Sequence, residues 1–109
     1  MDEDYSVAFE LIAYAGSSRS HSMEALQFAR AGKLDEARAA LAEADADLRL
    51  AHKTQTNLIQ AEAGGNPVSI NIILVHAQDH LASATVVLEM ATEFLYLYER
   101  IPAPTAAVD

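Results

Sequence analysis

Apolar and small residues at Leu34, Ala37, Leu41, Ala44, Leu48, Ala51, Gln55 and Leu58 recur in alternating steps of three and four. That spacing keeps them on one face of a helix, a seam of the kind that joins helices into a bundle, with Gln55 its only polar member. Asp35, Glu36, Glu43 and Asp47 fall on the charged face. His52 sits beside the seam, where half-burial is expected. An earlier helix is predicted from Tyr5 to Ala31, with acidic Asp2, Glu3 and Asp4 suited to the positive end of its dipole. The run Gly16-Ser17-Ser18-Arg19-Ser20-His21-Ser22 interrupts its apolar character. Read from the residues alone, it favours a break over a row of small side chains lining a site.

Gly32 is a natural stop, and Lys33 to Asp35 form a connection short enough for antiparallel neighbours. Gly64-Gly65-Asn66-Pro67 ends the second helix near Ala63. Ser69 is the expected N-cap of a third helix running to about Arg100, which Ile101-Pro102-Ala103-Pro104 cannot continue. Three helices of about 45 Å each predict an all-α, up-down-up antiparallel three-helix bundle over 1–101, followed by a loose tail at 102–109. Pairing the second and third helices from their turn puts positions whose numbers sum to roughly 132 at one height, so His52 is expected level with His80. Apolar residues wrap the third helix on more faces than a three-helix monomer can cover. The remainder is expected to meet other copies of the same helix in a symmetric oligomer.

Composition sharpens this picture. A chain of 109 residues makes one domain, and 51% hydrophobic residues with only four Gly and three Pro suit helices throughout. The absence of cysteine excludes a disulfide scaffold, a thiol nucleophile and thiolate metal sites, and fits the cytoplasm. Met1-Asp2-Glu3-Asp4 is the opposite of a signal peptide's basic start, and no continuous apolar run approaches the roughly 18 residues that span a bilayer. No direct membrane insertion is expected. A formal net charge of −9 disfavours nucleic acid and anionic lipid and favours a partner with a basic face.

The candidate chemistry lies in the third helix, where Ile72-Ile73-Leu74-Val75-His76-Ala77-Gln78-Asp79-His80-Leu81-Ala82-Ser83 sets ionisable groups into an apolar segment. At about 100° per residue, Asp79, His80 and Ser83 return beneath His76 while Gln78 points the other way. Ionisable groups in a helix expected to be buried on several sides need partners or a task. Ala77 follows His76 where a zinc protease needs Glu, and the inward Glu-x-x-His pairs of a di-iron bundle do not occur. A neutral imidazole, with its ordinary pKa of about 6.5, is a good phosphoryl acceptor and needs no metal for that step. Three copies of Asp79 brought to a threefold axis would repel by about 4 kcal/mol per pair at ~4 Å, so they would need a shared cation or proton, magnesium being the suitable ion. His52, Ser17, Ser20 and His21 read as structural, and Tyr96 and Tyr98 as packing.

Leu74-Val75-His76-Ala77-Gln78-Asp79-His80-Leu81 resembles the signature of the lactose/cellobiose-type IIA proteins of the bacterial sugar phosphotransferase system. Two more blocks fit: Ala15-Gly16-Ser17-Ser18-Arg19-Ser20 with Met23-Glu24-Ala25-Leu26, and Ala51-His52-Lys53-Thr54-Gln55-Thr56 with Glu62-Ala63-Gly64-Gly65. The resemblance covers about residues 5 to 100. It implies a phosphoryl carrier in which His76 takes phosphate from HPr and passes it to a IIB component, serving a IIC permease that carries a disaccharide such as lactose, cellobiose or chitobiose. Gln78 and His80 match positions close to the active histidine, and His52 is a supporting candidate. The resemblance also implies a homotrimer forming a nine-helix bundle, with Asp79 holding one Mg2+ on the threefold axis, and a first helix continuous through its Ala-Gly block. Ser17 stands where relatives commonly have Asn, and Lys33 where an acidic residue usually opens the second helix. The alternatives are a histidine phosphotransfer signalling domain, which the residues after His76 fit poorly, and a noncatalytic helical adaptor.

Overall fold

The computed structural model describes residues 5–102, which form three helices: α1 Ser6–Arg30, α2 Leu34–Ala63 and α3 Ile72–Arg100. No strand occurs among the described residues, and the fold is the all-α three-helix arrangement that the periodicity predicts. Positions 2–4, expected to complement the first helix dipole, and the tail from 103 onward lie outside the described residues.

Both turns use the same device. Gly32 adopts a φ of +80°, its N–H donates to the Ala29 carbonyl at 3.0 Å, and the Lys33 N–H reaches the Phe28 carbonyl at 2.9 Å. At the end of α2, Gly65 has a φ of +88° and donates to Glu62 at 3.1 Å, while Asn66 donates to Ala61 at 2.8 Å. This paired closure satisfies carbonyls that a helix end leaves open, and it needs a left-handed residue, which glycine adopts without a Cβ clash.

The expected cap of α3 is corrected, and α1 runs unbroken through Gly16–Ser22, as the family resemblance implies and against the break that the residues alone favour. Its serines turn their hydroxyls to α2 instead of competing for their own backbone: Ser18 Oγ donates to the Ala44 carbonyl at 2.7 Å and Ser17 Oγ to Asp47 Oδ2 at 2.5 Å. The cap of α3 is Asn71 instead of Ser69, its Oδ1 accepting the Leu74 N–H at 2.9 Å. Asn caps as well as Ser, and Asn71 is the last polar residue before the apolar run begins.

The core is a set of short seams in which alanine alternates with leucine. Ala8, Leu11 and Ala15 of α1 meet Ala44, Leu48 and Ala51 of α2 and Ala77, Leu81, Ala84 and Leu88 of α3. Alanine on facing positions lets the axes approach, and each leucine fills the space beside it. On α2 the buried polar residue is Thr54, while Gln55 is half-buried and donates through Nε2 to Gln78 Oε1 at 2.6 Å. Arg38 Nη2 binds Glu99 Oε2 at 2.6 Å near the other end. Both pairs fit antiparallel helices: Gln55–Gln78 lies within a residue of the expected register, and Arg38–Glu99, about 7.5 Å past it, is bridged by two long side chains.

A second seam on α3 stays uncovered in the single chain. Ile72, Val75, Asp79, Val86, Met90 and Leu97 are all exposed, Ile72 to 79%. α3 is also long and apolar enough, by length and composition alone, to resemble a membrane span. Counting only continuous apolar runs missed this, because His76, Asp79 and His80 break the run without lowering its average greatly. One face of α3 is already core, and a core helix passes the same test, so this is no evidence of insertion.

Candidate functional site

The i, i+4 spacing brings His76 and His80 together on α3. Their ring centroids lie 4.5 Å apart, the planes cross at 84°, and the two Nε2 atoms are 3.0 Å apart. At that separation one Nε2 donates and the other accepts, so one imidazole presents a proton and the other a lone pair. His80 is half-buried, whereas His76 is exposed. A single chain covers only the Ala77–Leu81 side of this helix, and the other faces are those expected to meet further copies.

The stripe expected to unite two imidazoles, a carboxylate and a hydroxyl separates into two. His80 borders α1 in a shared groove, while Asp79 is turned to the uncovered seam and Ser83 is exposed. Among the described residues, Asp79 has no hydrogen bond or ion pair to either histidine. Gln78 faces α2, where Gln55 holds its carboxamide. His52 is exposed instead of half-buried, and among the described residues no hydrogen bond or ion pair joins it to His76 or His80. Being next to a seam does not cover a side chain unless a third helix passes over it.

Ser17 and His21 belong to a different cluster, between α1 and α2. His21 Nε2 lies 3.3 Å from Glu43 and 3.9 Å from Asp47, the carboxylate that Ser17 also binds, and its Nδ1 lies 3.6 Å from Glu24. Ser20 instead joins His80 on a groove of about 550 Å³ that also contains Gly16 and Arg19. Arg19 is not among the sequence-based candidates, although the Ala15–Ser20 block contains it.

Among the described residues, no group of three metal-ligating side chains is gathered within the chain. Asp79 offers one hard oxygen donor on the uncovered seam, chemistry that suits magnesium only if other copies supply more carboxylates.

The model of the family described as "PTS system, Lactose/Cellobiose specific IIA subunit" matches residues 6–99. The chain is 44% identical over 100 residues to the lichenan-specific phosphotransferase enzyme IIA component of Bacillus subtilis, covering 92% of this chain and 91% of that protein. It is 39% identical over 94 residues to the lactose-specific EIIA component of Streptococcus mutans, covering 86% and 90%. Among solved structures, the cellobiose-specific enzyme IIA of Bacillus anthracis superposes with a TM-score of 0.89 at 45% identity, covering 96% of each chain. The chitobiose IIA of Escherichia coli, solved in complex with HPr, superposes with a TM-score of 0.76 at 34% identity, covering 92% of this chain and 97% of that one. The matched span contains all three helices and both histidines, and the chain belongs to the lactose/cellobiose-specific IIA family of the sugar phosphotransferase system.

Proposed function

We propose that this IIA component is a phosphoryl carrier that accepts phosphate from phospho-HPr on His76 and passes it to a IIB component, for uptake and phosphorylation of a disaccharide through a IIC permease. The observation that carries the reading is an exposed His76 whose Nε2 lies 3.0 Å from the Nε2 of His80, within the span matched by the family. The E. coli relative solved with HPr supports the donor, and the relatives' names support a β-linked disaccharide or oligosaccharide cargo.

The chemistry follows from the pair. With His80 donating, His76 Nε2 keeps a lone pair while its Nδ1 carries the proton. The lone pair attacks phosphorus, the donor's P–N bond breaks, and the donor imidazole leaves with the bonding electrons. Each ring keeps its other N–H, so no proton is gained or lost, and a high-energy P–N bond is exchanged for a like one. Transfer is reversible and needs positioning and charge compensation more than acid–base power. His80 Nε2–H then hydrogen-bonds a phosphoryl oxygen. Gln78, anchored to Gln55, fixes this part of α3 against α2, and His52 takes a supporting place on the partner-facing surface.

The uncovered seam of α3 is assigned to a homotrimer, a nine-helix bundle in the cytoplasm. Three Asp79 carboxylates brought together would hold one Mg2+, which would supply charge neutralisation for assembly. Incubation with phosphoenolpyruvate, HPr and its upstream kinase, followed by IIB, tests the proposal. The phosphoryl group should appear on this chain and then on IIB. A chain that stays unmodified with competent HPr overturns the assignment.

A further inference from the structure

We propose that Arg19 is a phosphoryl-binding residue of this site, its guanidinium holding the transferring group in the groove that ends at His80; this deepens the carrier reading and rests on it. The groove of about 550 Å³ is lined by Gly16, Arg19, Ser20 and His80, and by Glu24 further along. It is large enough to admit a phosphoryl group beside His80, whose Nε2 lies 3.0 Å from that of His76. Side chains on a helix lean toward its N-terminus over the residue three or four positions earlier. For Arg19 that residue is Gly16, which has no side chain and where a Cβ would meet nothing within 4 Å, so this part of the groove is open.

Charge selects the same residue. The chain has a net charge of −9, and a phosphoryl group adds more negative charge. Arg38 and Arg49 are held by Glu99, Asp35 and Asp45. Arg30, Lys33 and Arg100 lie at the far end of the bundle, and Lys53, on α2, does not line the groove. Arg19 is exposed and, among the described residues, has neither an ion pair nor a hydrogen bond, so its donors are available. Glu24 would repel an anion, but it lies about 12 Å beyond Gly16 along the helix, within 3.6 Å of His21. The groove is therefore cationic toward His80 and anionic away from it. Ser20 adds a neutral hydroxyl donor at the cationic end.

The test compares phosphoryl transfer from phospho-HPr by wild type, Arg19→Gln, Arg19→Lys and Gly16→Leu, with circular dichroism and Tm as controls for folding. Arg19→Gln should lower the maximal rate and kcat/KM together by roughly 10- to 100-fold, since its contact is made in the transition state. Arg19→Lys, keeping the charge without the fork, should recover part of that loss. Gly16→Leu, which fills the groove floor, should also slow transfer. A rise in KM alone would make Arg19 a docking residue and overturn the proposal. So would wild-type rates in Arg19→Gln or Gly16→Leu. If wild type itself takes up no phosphate, the carrier reading fails first, and the two failures remain distinct.

Discussion

Ser18 and Ser22 lie one turn apart on the buried stripe of α1, and their hydroxyls have opposite fates. Ser18 Oγ donates to the Ala44 carbonyl, whereas Ser22 Oγ is buried with no partner among the described residues. Ser18→Ala should therefore cost about 1 kcal/mol, while Ser22→Ala should stabilise by about 1 kcal/mol by removing an orphaned polar atom and adding helix propensity. Thermal melts would show Tm shifts of opposite sign, each of about 4–8 °C. Equal losses would mean that Ser22 has a partner of its own. At the site, His80→Ala should slow transfer by ~10²-fold without abolishing it, as expected for a residue that orients and hydrogen-bonds the reacting group. Stopped-flow transfer from phospho-HPr measures this, and an unchanged rate would remove His80 from the mechanism. The meeting of His76 and His80 was legible in their spacing, because i and i+4 leave little choice on a helix. The exposure of His52 was not, since it depends on where the neighbouring helices pass.

Helix boundaries follow the same division between local and distant causes. The two glycine closures were readable because glycine after an apolar run has one common use, and α2 and α3 end where the turn residues place them. The start of α3 was harder, because Ser69 and Asn71 are both good caps before one apolar run. Asn71→Ala should cost about 1 kcal/mol in urea denaturation, with Ser69→Ala within a few tenths of wild type. The reverse order would return the cap to Ser69. Continuity of α1 depended on α2: the run Gly16–Ser22 reads as a break until Ala44 and Asp47 are brought beside its hydroxyls. The family resemblance carried that information where local propensity could not.

As a whole molecule, the chain leaves one apolar seam of α3 without a cover and sets the Asp79 carboxylate within it. If three copies close on that seam, Asp79→Leu replaces a repelling cluster with apolar packing, and assembly should no longer need a divalent cation. Sedimentation should find the variant trimeric in chelator, with wild type weakened there and restored by magnesium. Assembly indifferent to chelator and to this substitution would place Asp79 off the axis. The exposed apolar face was legible in the excess of apolar positions on α3, but what covers it was not, since one chain's pattern does not count its copies. Whether phosphate resides on His76 is read from peptide mapping after incubation with phosphoenolpyruvate, HPr and its kinase. One acid-labile, base-stable phosphoryl group per chain should appear on the peptide containing His76 and be absent from a fully helical His76→Gln variant. A phosphoryl group on any other residue, or retained by that variant at the normal rate, would contradict the assignment to His76.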